Sequence, residues 1–314
     1  MIFTETLNNF HSYITDTTDL IFDIAFKNQK HESDLFLLIE NGFYNRRNPD
    51  VVFGNTKISP YTIGFDDDRL SEQTQNEFYN FYRDRQIPNK HTFQKSKVEN
   101  KTTQHTERIS IHIETALYIK FWESEHIIRL LHNLARLSNK QDFNWHFDSS
   151  NFKITNKTSG KSQKLGRTGI IESHLISEFD NSCPEFSDLI QSCYSSQIRN
   201  SIAHSQFFLY GDFINFTNHQ HGLAYNNISQ ISFERWELYI HFTILIYNAI
   251  ISNVNRYYRM YCDRAKSKHF GIPIRIIKAD HSVELRWYTY DGCRWCWYIN
   301  SDQGRQEDRY WLNK

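Results

Sequence analysis

Residues 231–264 read ISFERWELYIHFTILIYNAIISNVNRYYRMYCDR, and the fold turns on whether this run crosses a membrane or fills a protein core. Its apolar centre, Leu238 to Ile251, is shorter than the roughly 20 residues a bilayer requires. It also carries His241, Thr243 and Asn248. Ile240, Ile244, Tyr247, Ile251, Val254 and Tyr258 recur at steps of three or four, which places them on one face of a helix. Ser232 stands where an N-cap belongs, and Glu234 falls in the first turn, where the helix dipole favours an acid. The run therefore reads as a buried helix ending near Arg264, and the fold as mainly α with no membrane contact.

Upstream of that helix, FFLYGDFINF (207–216) sets two short aromatic runs on either side of Gly211-Asp212, which predicts a small β-hairpin insertion. Pro184 suits the first turn of a helix carrying Phe186, Leu189, Ile190 and Cys193. A long helix is expected from about Glu107 through ERISIHIETALYIKFWESEHIIRLLHNLARL, and FNWHFDSSNFKIT (143–155) reads as a hairpin around Asp148-Ser149-Ser150. The loop NKTSGKSQKLGRTG (156–169) gathers Lys161, Lys164 and Arg167, a candidate grip on an RNA backbone.

Three regions follow. Residues 1–100 form a mainly helical N-terminal region, with helices in NNFHSYITDTTDLIFDIAFKNQ, DLFLLIENGF (stopped at Asn41-Gly42) and SEQTQNEFYNFYRDRQ, a short strand in DVVFG, and NKHTFQKSKVENKTTQHT as the linker out. Residues 104–268 form the helical domain. Residues 270–314 form a C-terminal β appendage, a meander of IPIRIIKA, VELRWYTY and RWCWYINSD.

Across the 314 residues, 36 Lys and Arg balance 36 Asp and Glu, so no global field draws the chain to nucleic acid; an RNA contact needs a local patch. Aromatic residues make up 16%, enough bulk for a large core. The five cysteines leave one over from any full disulfide framework, and the N-terminus has no cationic start or apolar leader, which points to a reducing, cytoplasmic setting.

The chemistry concentrates in QIRNSIAHSQF (197–207). On a helix Asn200 and His204 lie one above the other, whereas Arg199 is about 140° from His204 around the axis. Arg199 and His204 converge best where two helices meet, with a second copy of the chain opposite. Metal-free RNA cleavage needs a base for the 2′-hydroxyl, an acid for the departing 5′-oxygen and a cation for the charge gathering on phosphorus. Histidine serves either of the first two roles near neutrality, and the arginine fork fits two phosphate oxygens. A two-fold dimer supplies two copies of each residue. The bare Arg-to-His spacing arises about once by chance in a chain with 19 Arg and 15 His, and Arg264 and His269 repeat it without the asparagine.

RNSIAH, the aromatic SQFFLY after it, the hairpin and the long apolar helix resemble the HEPN ribonuclease superfamily over about Glu107 to Lys268. The resemblance leaves out the first hundred residues and the last forty-five. It implies a HEPN-like helical bundle that dimerises with two motifs facing each other, and a metal-independent endoribonuclease of toxin, abortive-infection or antiviral defence type. Carried over by position, Arg199 is the phosphate-binding cation, His204 the catalytic histidine and Asn200 its polar support. The products are a 2′,3′-cyclic phosphate and a 5′-hydroxyl. The implied partners are the RNA substrate, a second copy of the chain, and an antitoxin or defence-system protein. No cofactor or metal is implied.

Other features carry weaker readings. Cys293 and Cys296 form one C-x-x-C that would need Cys262, His269 or His281 to complete a zinc site, and they read as buried or half-buried thiols. His219 and His221 could bind metal or contact RNA, and Asp66 to Asp68 could hold a divalent ion, but the histidines read better as loop residues and the acids as a solvated loop or helix cap. Glu114 and Glu123 lie on the helix that should pack near the motif, where an acid could orient Arg199, although surface placement is the favoured reading for both. Trp287, Trp295 and Trp297 fit a small sheet packed on a core, or a surface for bases or a partner protein. The alternative to an enzyme is a non-catalytic scaffold whose motif holds RNA or a partner.

Overall fold

The computed structural model describes residues 4–45, 51–53, 56–58, 60–64, 100–155, 162–220, 227–266, 271–290, 292, 295–300 and 306–307. The chain is mainly helical with small antiparallel sheets. None of the described helices is long and apolar enough to cross a membrane. Two compact units interleave in sequence: residues 1–20, 67–128 and 165–250 in the first, and 21–66, 129–164 and 251–314 in the second. The sequence reading, by contrast, has three consecutive regions.

In the first unit the opening helical run begins as expected. Ser232 Oγ accepts from the Arg235 backbone N–H at 3.2 Å, and the helix spans Phe233–Lys266. Trp236, Ile240, Thr243, Ile246, Tyr247 and Ile250 are buried, so its first half is covered nearly all round rather than along one stripe. In the half that belongs to the second unit the buried positions are Asn253, Tyr257, Tyr261, Cys262 and Ala265, not Val254 and Tyr258, so the packed face has rotated away from the periodic apolar one. Against the first half lies the helix Asn100–Glu123, which starts earlier than Glu107 and takes in part of the run expected as a linker. Trp122 Nε1 donates to Thr243 Oγ1 at 3.3 Å, and Trp236 Nε1 donates to the buried Glu114 carboxylate at 2.9 Å. These bonds let polar groups sit in a core that the apolar rings fill. Arg167–Ile170, a π turn over Ile171–Leu175 and Ile176–Ser182 run on into the helix Pro184–Cys193, which proline opens as expected. The hairpin Phe207–Tyr210 and Phe213–Phe216 turns at Gly211-Asp212, with Gly211 at φ 56°, and gains a third strand, Gln230–Ser232.

The second unit buries the whole of the short helix Asp34–Ile39, which ends at Asn41 in the left-handed conformation (φ 54°). Phe36 meets Tyr261 and Trp295 at ring distances of 5.2 and 4.6 Å. The tail pairs antiparallel in the order Ile272–Ile277, Val283–Tyr290, Trp295–Asn300 and Gln306–Glu307, one strand more than the expected meander. The hairpin expected around Asp148 is absent: Asp148 Oδ1 accepts from Ser150 N–H at 2.9 Å and winds a short 3-10 turn, Ser149–Asn151. An aspartate that bonds its own backbone two residues on competes with strand pairing. Lys153–Thr155 instead pairs with Ser162–Lys164, inside the stretch read as a loop.

Gly271 leads into the first tail strand at φ 84°, and a Cβ there would overlap the Tyr288 carbonyl oxygen and lie 2.8 Å from Thr289 Cα. Those neighbours are backbone and cannot swing aside. Gly271→Ala is expected to lower unfolding stability by about 2–4 kcal/mol, from left-handed strain plus overpacking. Chemical denaturation of the two proteins measures it, and a difference below about 0.5 kcal/mol refutes the assignment.

Candidate active site

The motif sits on a short helix, Ser196–Ala203, held at both ends. At its start the buried Tyr118 hydroxyl donates to the Cys193 carbonyl at 3.1 Å and accepts from Ser195 N–H at 3.2 Å, pinning the turn from the preceding helix. Burial holds the Tyr118 hydroxyl well above the usual tyrosine range, so it stays a proton donor. Ser195 Oγ caps the helix by accepting from Ile198 N–H at 3.4 Å. Gln197, Ile198 and Ser201 are buried, His204 is exposed, and Arg199 and Asn200 are intermediate between the two. At the far end His204 is the C-cap residue, Ser205 is left-handed (φ 54°), and Gln206 N–H donates to the Ser201 carbonyl at 2.7 Å. A left-handed residue just past the helix closes it and reverses the chain, here straight into the hairpin.

The three motif residues divide into two groups. Arg199 is largely buried; one of its nitrogens donates to Asn200 Oδ1 at 2.7 Å and another forms an ion pair with Glu123. Arg167 lies 3.7 Å from the same Glu123 carboxylate and 3.5 Å from that of Glu125, so two guanidiniums converge on Glu123. Asn200 and the exposed His204 instead line an open concavity of about 460 Å³, shared with Gln206, Thr217, Asn218 and His219. Arg199 is not part of that lining. The stacking of Asn200 below His204 follows from their four-residue spacing, but the amide oxygen is occupied by Arg199.

The remaining candidates fall as follows. Lys164 is exposed at the end of its short strand, Arg167 is committed to the two carboxylates, and Lys161 lies outside the described residues. Glu123 orients Arg199, whereas Glu114 is buried between Ser110 and Trp236. Asp66 to Asp68, His221, His269 and Cys293 lie outside the described residues, and among those described no group of three His, Cys, Asp or Glu could hold a metal. His219, read from sequence as a loop residue, lines the same concavity as His204. The signal that could have found it is register: Phe207 pairs with Phe216, so the residues just past the hairpin return beside the residues just past the motif helix. No protein-family model matches this chain, and no curated protein or solved structure proves similar to it.

Proposed function

We propose that this chain is a metal-independent endoribonuclease of the HEPN type. It cuts single-stranded or looped RNA as a homodimer and serves in the cytoplasm as a toxin or antiviral defence effector, with an antitoxin or defence protein as partner. The observation that carries the reading is the convergence of Asn200 and His204 on one open concavity with no carboxylate in its lining among the described residues, with the Arg199 fork on the adjacent residue of the same helix. His204 moves a proton at the ribose 2′-oxygen or the leaving 5′-oxygen. Arg199 answers the charge on the phosphoryl oxygens.

For that, the phosphate must take the place of Glu123 on Arg199. Arg167 shares the Glu123 carboxylate, so the acid keeps a cation when Arg199 turns to substrate. Ile109 and Ile113, 49% and 44% exposed, lie with Ala116 along one apolar groove of the helix Asn100–Glu123, a surface suited to a second copy. The Arg199–Glu123 ion pair also favours a second reading, a non-catalytic scaffold in which it is a structural clamp.

One experiment separates the two. The purified chain in EDTA is expected to cut single-stranded RNA and leave 2′,3′-cyclic phosphate ends. Arg199→Ala should slow that cleavage about 10²–10³-fold, and Arg199→Lys should not restore it, because a point charge lacks the planar fork. Absence of cleavage by the parent chain, or cleavage that needs a metal, overturns the proposal.

A further inference from the structure

We infer that His219 is the second proton-transfer residue of the same active site, so that each chain carries its own acid–base pair. The inference rests on the ribonuclease reading and deepens it. A phosphodiester cut by the 2′-hydroxyl exchanges one bond for another: the 2′-oxygen loses its proton and bonds to phosphorus, while the bond from phosphorus to the 5′-oxygen breaks and that oxygen gains a proton. One imidazole accepts the first proton and a second, as imidazolium, supplies the other; transfer through water then resets the pair. With His204 alone, a second copy of the chain would have to bring the missing imidazole.

The fold supplies it within the chain. Thr217 N–H donates to the Gln206 carbonyl at 2.9 Å, which carries the hairpin ladder one step past Phe207 and Phe216. Asn218 is then tied to the motif helix: its amide nitrogen donates to the Gln197 carbonyl at 3.1 Å, and Gln197 Nε2 donates to Asn218 Oδ1 at 3.4 Å. Gln197 is buried and its amide also exchanges two hydrogen bonds with the Ile228 backbone, at 2.7 and 3.0 Å, so this anchor is fixed from both sides. The residue that follows the anchor is His219, half-buried, and it lines the same concavity as the exposed His204. The rest of the lining is amide and hydroxyl, with no carboxylate among the described residues to repel a phosphodiester. Placement by backbone and buried-amide bonds is what proton transfer at hydrogen-bond reach, roughly 2.6–3.2 Å, requires.

The test compares His219→Ala, His204→Ala and the parent on single-stranded RNA, and then on a ribonucleoside 3′-phosphodiester with a nitrophenol leaving group. Each variant should lose about 100-fold or more on RNA. On the activated ester, whose leaving group needs no proton, one of the two variants should recover and the other should not. Mixing the two variants should restore nothing. His219→Gln, which keeps side-chain bulk and polarity but not titration, should behave as His219→Ala. Parent-like RNA cleavage by His219→Ala, recovery of both variants or of neither on the activated ester, or activity regained on mixing each removes His219 from this role. A parent that does not cut RNA overturns the ribonuclease reading itself, a result distinguishable from all of these.

Discussion

His204→Ala is expected to reduce RNA cleavage in EDTA by about 10²–10⁴-fold, the usual contribution of a positioned proton-transfer group, while unfolding stability stays within about 0.5 kcal/mol of the parent. The separation of the two effects comes from where the side chain sits. His204 is exposed, and the helix end is closed by backbone bonds from Ser205 to Ile202 and from Gln206 to Ser201, none of which needs the imidazole. Arg199 is the opposite case. Its guanidinium holds Glu123 and Asn200 in partial burial, so a loss of activity on its removal mixes catalysis with local structure. His204 therefore isolates catalysis better than any other motif residue. Gel-resolved cleavage beside thermal denaturation measures both quantities, and unchanged cleavage by a folded His204→Ala protein would remove the catalytic assignment.

Where a local rule has a single solution, the chain states its own structure. Pro184 could only open a helix, Gly211-Asp212 could only close a two-residue hairpin, and Ser232 before an apolar run could only cap one; the structure places all three so. The motif helix was legible through its spacing, but its surroundings were not. The sequence offers both Glu114 and Glu123 as acids near Arg199 without choosing between them; Glu123, 76 positions away, takes the pairing on the helix whose Tyr118 pins the motif turn through Cys193 and Ser195. The place of His219 beside His204 was not legible for a different reason. His219 belongs to no periodic segment, and only the register of the hairpin returns it to the motif. The failed hairpin at Asp148 shows the reverse error: alternation of residue types was present, but a side chain bonding its own backbone outcompeted strand pairing.

The core that supports the site should be most sensitive at Trp236. Its ring is fully buried, lies 5.4 Å from Tyr118, and donates its indole N–H to Glu114, whose other oxygen accepts from Ser110 at 2.7 Å. Trp236→Ala removes a large core side chain, at about 3–5 kcal/mol, and takes the indole donor away from a buried carboxylate, at about 1.5–3 kcal/mol more. Trp236→Phe keeps most of the volume and loses only the donor, so it should cost about the second amount alone. Denaturant titration of the two variants separates the contributions. If Phe costs less than about 0.5 kcal/mol, the bond to Glu114 contributes nothing net and burial alone sets the cost. If Phe costs as much as Ala, volume contributes little and the carboxylate dominates. In either event the loss should reach the site through Tyr118, because the ring that packs on Trp236 is the one whose hydroxyl holds Ser195 at the start of the motif helix.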